Sequence, residues 1–166
     1  MTKNTSEPAE ANTGWVPPPW EPPIAGSEVE HLLADPNVVL GLADAGAHVG
    51  QIMDASQPTW FLAHWVRDRG IHSLAEGVAR LTSAPADLFG VTDRGVLRPG
   101  AFADVNVLDP EALALPLPEF VHDFPGGAGR WIQGGTGYGL TLVNGVATIE
   151  HGEHTGALPG TLLRAG

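Results

Sequence analysis

A short apolar run that ends at a carboxylate is the feature that most constrains this fold. The run extends from Val38 to Leu42 and leads through Ala43 to Asp44. An apolar run of this length predicts a strand buried on both faces, as strands are in parallel sheets. In α/β enzymes, residues at the carboxyl ends of such strands carry the chemistry. The sequence therefore predicts an α/β fold with Asp44 as its first candidate functional residue.

Length and composition are those of a globular protein with many turns. The 166 residues suffice for one ordinary domain with a core, and 43% of them are apolar. Charged residues make up only 16%, whereas 22 glycines and 15 prolines predict extensive loops. The absence of cysteine excludes disulfides and thiolate metal sites.

Charge and hydropathy limit the classes of partner. A formal net charge of −11 argues against nucleic acids and anionic membrane surfaces as partners. The sequence has no basic segment followed by an apolar leader, and no apolar stretch long enough to span a membrane. A cytoplasmic location is therefore expected.

The first 26 residues are rich in proline and poor in aliphatic side chains, which predicts a disordered tail. Trp15 and Trp20 leave open the alternative that this tail docks onto a surface or a partner.

Capping signals and apolar spacing predict four helices after this tail. Ser27 opens a capping box with Glu30, and Pro36 ends that short helix near residue 35. Further helices are expected over residues 58–69, 73–81 and 85–90. The inward side chains expected on the two longer helices are Phe61, Leu62, Trp65 and Val66, then Leu74, Val78 and Leu81.

The second half of the chain has the pattern of strands and turns. Residues 103–109 alternate in polarity, which predicts a strand exposed on one face. Residues 110–139 are rich in proline and glycine and are expected to be mostly loop. Asn144 and Gly145 separate two apolar runs over 140–149, which predicts a hairpin with a type I′ turn.

Four motifs in this order resemble the C-terminal portion of a metal-dependent amidohydrolase, of the N-acyl-D-amino-acid deacylase (D-aminoacylase) branch. The resemblance covers about residues 27 to 164. The motifs are Leu42-Ala43-Asp44-Ala45-Gly46-Ala47-His48, the helical segment 81–90, the segment 93–107 with Ala103-Asp104-Val105, and Val143-Asn144-Gly145.

The resemblance implies a specific fold and chemistry. It implies the end of a (β/α)8 metallo-hydrolase barrel over residues 27–92 and part of a small β-sandwich with the C-terminal tail over 93–166. In this family one or two zinc ions lie at the barrel mouth, and an aspartate at the end of the last strand binds the metal or its water. Asp44 falls on that position, as metal ligand and as the acid-base catalyst, and His48 is a candidate substrate contact.

The sequence departs from the family pattern in its metal ligands. The family takes further ligands from a His-x-His pair and other upstream side chains, and this chain has no His-x-His. A complete barrel of this type takes about 250 residues. The resemblance therefore implies that the chain lacks the first two-thirds of the enzyme and binds zinc weakly by itself.

Simpler interpretations of these residues remain open. Asp44 has the sequence context of a helix cap or loop residue, and His48 that of an exposed loop histidine. Asp54 and His64 extend the set of potential ligands, but nothing in the sequence forces the four to converge. His151-x-x-His154 has a two-ligand spacing, although a solvated tail is the better interpretation.

Two functions follow from these observations. The first is hydrolysis of a C–N bond other than a peptide bond in a small N-acyl amino acid, with an N-terminal amidohydrolase subunit or a homo-oligomer completing the site. The alternative is a non-catalytic remnant or interaction module of such an enzyme. In either case the strand 38–42 has two unpaired edges, so the isolated chain is expected to fold poorly, aggregate or oligomerise.

Overall fold

The computed structural model describes residues 26–41, 43–52 and 54–163. In these ranges the helices are α1 (Gly26–Ala34), α2 (Gln57–Trp60) with its continuation as a π-helix (Phe61–Asp68), α3 (Leu74–Leu81) and α4 (Ser83–Leu88). None of these helices is long and apolar enough to cross a membrane. The proline-rich segment before Gly26 lies outside the described residues.

The π-helix supplies most of the core. Phe61, Leu62, Ala63 and Val66 are buried in it, and Trp65 is half-buried, which confirms the predicted helix and its apolar face. They pack with Leu33 of α1 and with Leu113 from the second half of the chain. Burying each large apolar side chain contributes about 1.5–3 kcal/mol, so this helix is the main source of stability in the helical half.

The capping box predicted for α3 is confirmed, whereas the predicted inward face is confirmed at Leu81 and wrong at Leu74 and Val78. Leu74 and Val78 are 41% and 37% exposed, whereas Gly77 is buried and Leu81 is half-buried against the core. The side of α3 that carries Gly77 lies against the π-helix, because a residue without a Cβ lets the two helices approach closely. Leu74 and Val78 therefore find no cover within the described part of the chain.

The first helix begins one residue earlier than predicted. α1 starts at Gly26, which places Ser27 inside the helix rather than at its cap. Glu30 accepts a hydrogen bond from Arg69, so its carboxylate ties α1 to the residue that follows the π-helix.

The predicted strand at residues 38–42 is wrong for the described positions. Residues 38–41 belong to no strand, and Leu42 lies outside the described residues. Val39 is 37% exposed, so the segment is not buried on both faces. A strand needs neighbouring strands, and the described sheets all lie in the second half of the chain. Arg80 instead holds the segment by donating to the main-chain oxygens of Val38 (2.9 Å) and Asp35 (2.8 Å).

The second half forms two antiparallel sheets. The strands are β1 (Val105–Leu108), β2 (Glu119–Val121), β3 (Arg130–Ile132), β4 (Tyr138–Val143), β5 (Val146–Glu150) and β6 (Glu153–His154). The larger sheet has the order β1-β4-β5-β6, with β1 at one edge, and β2 pairs with β3. The predicted turn between β4 and β5 is confirmed, since Asn144 and Gly145 both have positive φ, 51° and 78°.

The hairpin of β2 and β3 was not predicted. Its three-residue strands lie between proline- and glycine-rich stretches that indicated loop. Phe120 and Trp131 are opposite each other across it, with ring centroids 5.2 Å apart in an edge-to-face arrangement. Gly129 leaves room for this packing, because a Cβ there would lie 2.4 Å from the Phe120 ring.

Hydrogen bonds from Arg67 and Thr59 help to connect the helical half to the second half of the chain. Arg67 in the π-helix donates to the main-chain oxygens of Pro110 (3.0 Å) and Leu113 (2.7 Å). The hydroxyls of Thr59 and Tyr138 are 2.8 Å apart. Thr59 is buried, so this bond satisfies a polar group that would otherwise destabilise the core.

Candidate functional site

Asp44 lies in the loop between residues 38–41 and α2, and its side chain is exposed. Its main-chain N–H donates to a carboxylate oxygen of Asp54 at 3.4 Å, and its carbonyl accepts from the Ala47 N–H at 3.1 Å. The loop thus brings two of the sequence-predicted residues, Asp44 and Asp54, next to each other. The exposed carboxylate of Asp44 is accessible to a small molecule.

His48 occupies the turn of the same loop. Its φ is 122°, in the region that favours glycine, and its carbonyl accepts from the N–H groups of Gln51 (2.7 Å) and Ile52 (2.9 Å). A non-glycine residue in such a conformation costs on the order of 1–3 kcal/mol. Two hydrogen bonds to one carbonyl offset part of that cost and stabilise the turn that carries the exposed His48, four residues after Asp44.

The unpredicted hairpin is attached directly to this loop. The main-chain N–H of Trp131 in β3 donates to the oxygen of Val49 at 3.0 Å. Ser56, which precedes α2, donates from its hydroxyl to the side-chain oxygen of Gln133 at 2.7 Å. Contacts with the second half of the chain therefore hold the loop that carries Asp44 and His48, residues 43–52. Sequence patterns did not predict these contacts.

Beneath the loop lies a cavity of about 380 Å³. Ala43 and Ala45, the neighbours of Asp44, line it together with Leu40, Phe61 and Leu81. Arg80 also lines the cavity, and its guanidinium donates hydrogen bonds to the main-chain oxygens of residues 35 and 38. Arg80 is the positioning residue that the sequence interpretation missed, and its place in the last turn of α3 was the only available signal.

The described residues do not fit a metal ion by themselves. His64, a predicted potential ligand, is stacked on Trp60 with ring centroids 4.5 Å apart and makes an edge contact with Trp65. Among residues 26–41, 43–52 and 54–163, no three histidine, aspartate or glutamate side chains converge on a point where an ion could be held. Asp44 and Asp54 thus supply carboxylates without the imidazoles that a zinc site also uses.

The two C-terminal histidines show no sign of a ligand site. His151 and His154 are both exposed, at the turn before β6 and within it. His154 accepts through Nδ1 from the Gly156 N–H at 2.9 Å, a local contact that shapes the chain after β6. The arrangement agrees with a solvated segment.

Two charged pairs that do not belong to the Asp44 loop have perturbed pKa values. Hydrogen bonds from Arg130 lower the pKa of the Asp123 carboxyl, and the closest approach is 2.6 Å. In the same way Arg67, at 2.7 Å, lowers the pKa of Asp68. These pairs are exposed, so they fix local geometry and contribute little to stability.

Comparison with known proteins decides the family. The model of the amidohydrolase family matches residues 13–149 of the 166, a range that includes Asp44, His48 and the strands β1 to β4. The chain belongs to the amidohydrolase family. The resemblance based on the ordered motifs is thereby confirmed, and the Asp44 loop of this amidohydrolase lies inside the matched range.

Two curated relatives and a solved structure are similar to part of this amidohydrolase. N-acyl-D-glutamate deacylase of Alcaligenes xylosoxydans xylosoxydans is 34% identical over 106 residues, which cover 64% of this chain and 20% of that enzyme. D-aminoacylase of the same organism is 42% identical over 53 residues, 32% of this chain and 11% of that enzyme. A solved D-aminoacylase, described for the role of its binuclear metal centre, matches 60% of this chain and 19% of its own at 31% identity and a TM-score of 0.47.

The matched segments are a small part of these relatives. This amidohydrolase chain matches no more than a fifth of the length of either curated relative.

Proposed function

We propose that this chain forms part of a hydrolase that cleaves the amide C–N bond of N-acyl-D-amino acids, with Asp44 as its acid-base residue. The observation that carries the proposal is the match to N-acyl-D-glutamate deacylase, 34% identical over 106 residues, together with a family match that includes Asp44. The accessible carboxylate of Asp44 and its attachment to Asp54 support this role.

The proposed chemistry at Asp44 is a proton transfer in two directions. As water adds to the acyl carbon, the Asp44 carboxylate takes the proton that the water loses. When the C–N bond breaks, the protonated carboxyl returns that proton to the departing amine nitrogen. Water and the amide are thereby converted to a carboxylic acid and an amine, which exchange a proton to become a carboxylate and an ammonium group, and Asp44 is regenerated. His48, four residues further along the loop, is the proposed substrate contact.

The proposed enzyme requires a second polypeptide. The described residues do not hold a metal ion by themselves, so no catalytic step of this chain is assigned to one. In the proposed assembly, zinc is held mainly by histidines of another amidohydrolase polypeptide, and Asp44 contributes one carboxylate to it. The exposure of Asp44 is consistent with a residue that faces such a partner rather than its own chain.

The proposal is tested by co-expressing the full chain with the part of Alcaligenes N-acyl-D-glutamate deacylase that lies outside the matched segment. Release of D-glutamate from its N-acetyl derivative is then measured. We expect turnover by the co-expressed pair, and a loss of about 10²- to 10⁴-fold in kcat with Asp44→Asn, because an amide cannot accept the proton. Asp87→Asn, which removes an exposed carboxylate on α4, serves as the matched control.

Turnover by the pure chain without a partner would contradict the need for a second polypeptide. The function itself would be contradicted by full activity of the Asp44→Asn variant, or by no activity in a pair that is shown to form a complex. The last result would favour a non-catalytic interaction module.

A further inference from the structure

The turn between β4 and β5 contains a pair of residues that can react with each other. In an Asn-Gly sequence the main-chain nitrogen of the glycine can attack the side-chain amide carbon of the asparagine, because glycine has no side chain that hinders the approach. Asn144 and Gly145 are such a pair, and no other asparagine in the sequence is followed by glycine. Asparagine side chains are chemically labile for this reason.

Hydrogen bonds hold the reacting groups of this pair in the folded chain. The Gly145 N–H donates to the Ala103 oxygen at 2.9 Å, so the attacking nitrogen is already engaged. The Asn144 N–H donates to Oδ1 of Asp104 at 2.8 Å, and the side-chain Nδ2 of Asn144 donates to the Pro159 oxygen at 2.8 Å. The attack therefore requires that the turn first open.

The same side-chain amide anchors the segment that follows β6. Within the described residues, the bond from Asn144 to Pro159 is the only hydrogen bond that joins residues 157–163 to the chain before Thr155. The other atom of the amide, Oδ1 of Asn144, is buried and has no hydrogen-bond partner among the described residues. A carboxylate in place of this amide would lose the donor to Pro159 and would leave a charged oxygen buried without a partner. It would also add a negative charge next to the carboxylate of Asp104.

We propose that Asn144 is a site of spontaneous deamidation that the fold holds back, and that its modification detaches residues 157–163 from the β4–β5 turn. The Gly145 nitrogen loses its proton and forms a bond to Cγ of Asn144, and the side-chain nitrogen leaves with a proton as ammonia. Water then opens the cyclic imide at one of its two carbonyl carbons, which gives an aspartyl or an isoaspartyl residue. Water is the only other reactant, and the loss of ammonia makes the change irreversible.

The first experiment measures how the fold controls the reaction. The full chain is incubated in mildly alkaline buffer with and without denaturing urea, and deamidation is followed by peptide mass spectrometry. We expect Asn144 to deamidate at least about tenfold more slowly in the folded chain than in urea, because the attack requires opening of the turn. Equal rates in the two conditions, or no deamidation of Asn144 in urea, would overturn the proposal.

Two other asparagines serve as internal controls for the chemistry. Asn37 and Asn106 are each followed by a valine, whose β-branched side chain hinders attack by its main-chain nitrogen. Both should deamidate far more slowly in urea than Asn144. If either reacts as fast as Asn144, the reaction does not depend on Gly145 and the assignment of this site is wrong.

The second experiment measures release of the C-terminal segment with Asn144→Asp, which carries the product carboxylate. We expect the heteronuclear NOE of the Gly160 amide to fall to the value of a free tail, because the segment has lost its anchor at Pro159. Asn106→Asp is the matched control: it adds the same charge at an exposed side chain, and an aspartate keeps the acceptor for the Thr141 hydroxyl, now at 2.8 Å.

An unchanged Gly160 signal in Asn144→Asp, or an equal fall in Asn106→Asp, would show that the Asn144 amide does not anchor the segment. If Asn144→Asp does not fold, as judged by circular dichroism, the same Gly160 signal is followed in the unsubstituted chain as deamidation of Asn144 proceeds. It should then fall in step with the deamidated fraction, and a signal that does not change as this fraction rises would equally overturn the release.

Discussion

Ser73 and Glu76 satisfy each other's hydrogen-bonding groups at the start of α3. The Ser73 N–H and hydroxyl donate to Oε2 of Glu76 at 2.8 and 2.7 Å, and the Glu76 N–H donates to the Ser73 hydroxyl at 3.3 Å. The side-chain and main-chain bonds from Ser73 lower the pKa of Glu76 below its usual 4.5. The carboxylate therefore stabilises α3 fully above pH 4.5, and this contribution is lost as the pH falls through the lowered pKa.

We expect Ser73→Ala to raise the titration midpoint of Glu76 toward its usual value and to weaken α3 by about 1 kcal/mol. The measurements are an NMR titration of the Glu76 side chain and the amide exchange of Gly77, whose N–H donates to the Ser73 oxygen at 2.9 Å. Ser83→Ala is the control, because the Ser83 hydroxyl makes only a 3.5 Å contact with Ala79. An unchanged Glu76 midpoint in Ser73→Ala would contradict the assigned cause.

The sequence predicted those interactions of single residues whose partners are close in the chain. The capping box of Ser73 and Glu76 and the turn at Asn144-Gly145 depend on residues no more than three positions apart, and both are present. Arg80 was missed because its partners, the oxygens of Asp35 and Val38, lie 45 and 42 positions away. Asp44 could be singled out, but its contact with Asp54 could not.

At the scale of elements, the packing of α3 on the π-helix depends on a missing side chain. A Cβ on Gly77 would lie 2.5 Å from Cγ2 of Val66 and 3.5 Å from Leu62. Both neighbours are buried core residues that cannot move freely. Gly77 is thus required for space, since its φ is not in the positive range.

We expect Gly77→Ala to lower the thermal midpoint, because overpacking costs about 1–3 kcal/mol and outweighs the gain of up to about 1 kcal/mol in helix propensity. Thermal denaturation followed by circular dichroism measures it. Gly160→Ala, where an added Cβ has no atom within 4 Å, should have little effect. A Gly77→Ala variant more stable than the parent would show that the two helices separate easily.

Helices and strands were predicted correctly where the hydrogen bonds that stabilise them lie within the element itself. The helices and the β4–β5 hairpin make their own hydrogen bonds and were found. The strand expected at 38–42 requires neighbours from elsewhere, and the described residues 38–41 form none. The β2–β3 hairpin was missed because its strands are short and are stabilised by the Phe120–Trp131 contact rather than by an apolar pattern.

For the whole molecule, the buried apolar core is small. The buried apolar side chains in the described ranges are Leu33, Phe61, Leu62, Ala63, Val66 and Leu113. Large apolar side chains such as Phe89 (75% exposed) and Leu97 (83% exposed) remain in solvent. So few buried groups offset the conformational entropy of folding only in part.

We therefore expect the isolated chain to melt broadly and to bind a hydrophobic dye, because much of its apolar surface has no cover. Scanning calorimetry and dye fluorescence measure this, and the complex with the deacylase polypeptide should melt sharply under the same conditions. A sharp, cooperative transition of the dilute monomer would contradict the expectation.

The bond between the Trp131 N–H and the Val49 oxygen has a consequence for how this protein can change over evolutionary time. An insertion or deletion in the β2–β3 hairpin would displace the loop that carries Asp44, although the hairpin and the loop are far apart in the sequence. We therefore expect related proteins to keep the length of the β2–β3 hairpin and to vary in length at segments that do not contact the loop.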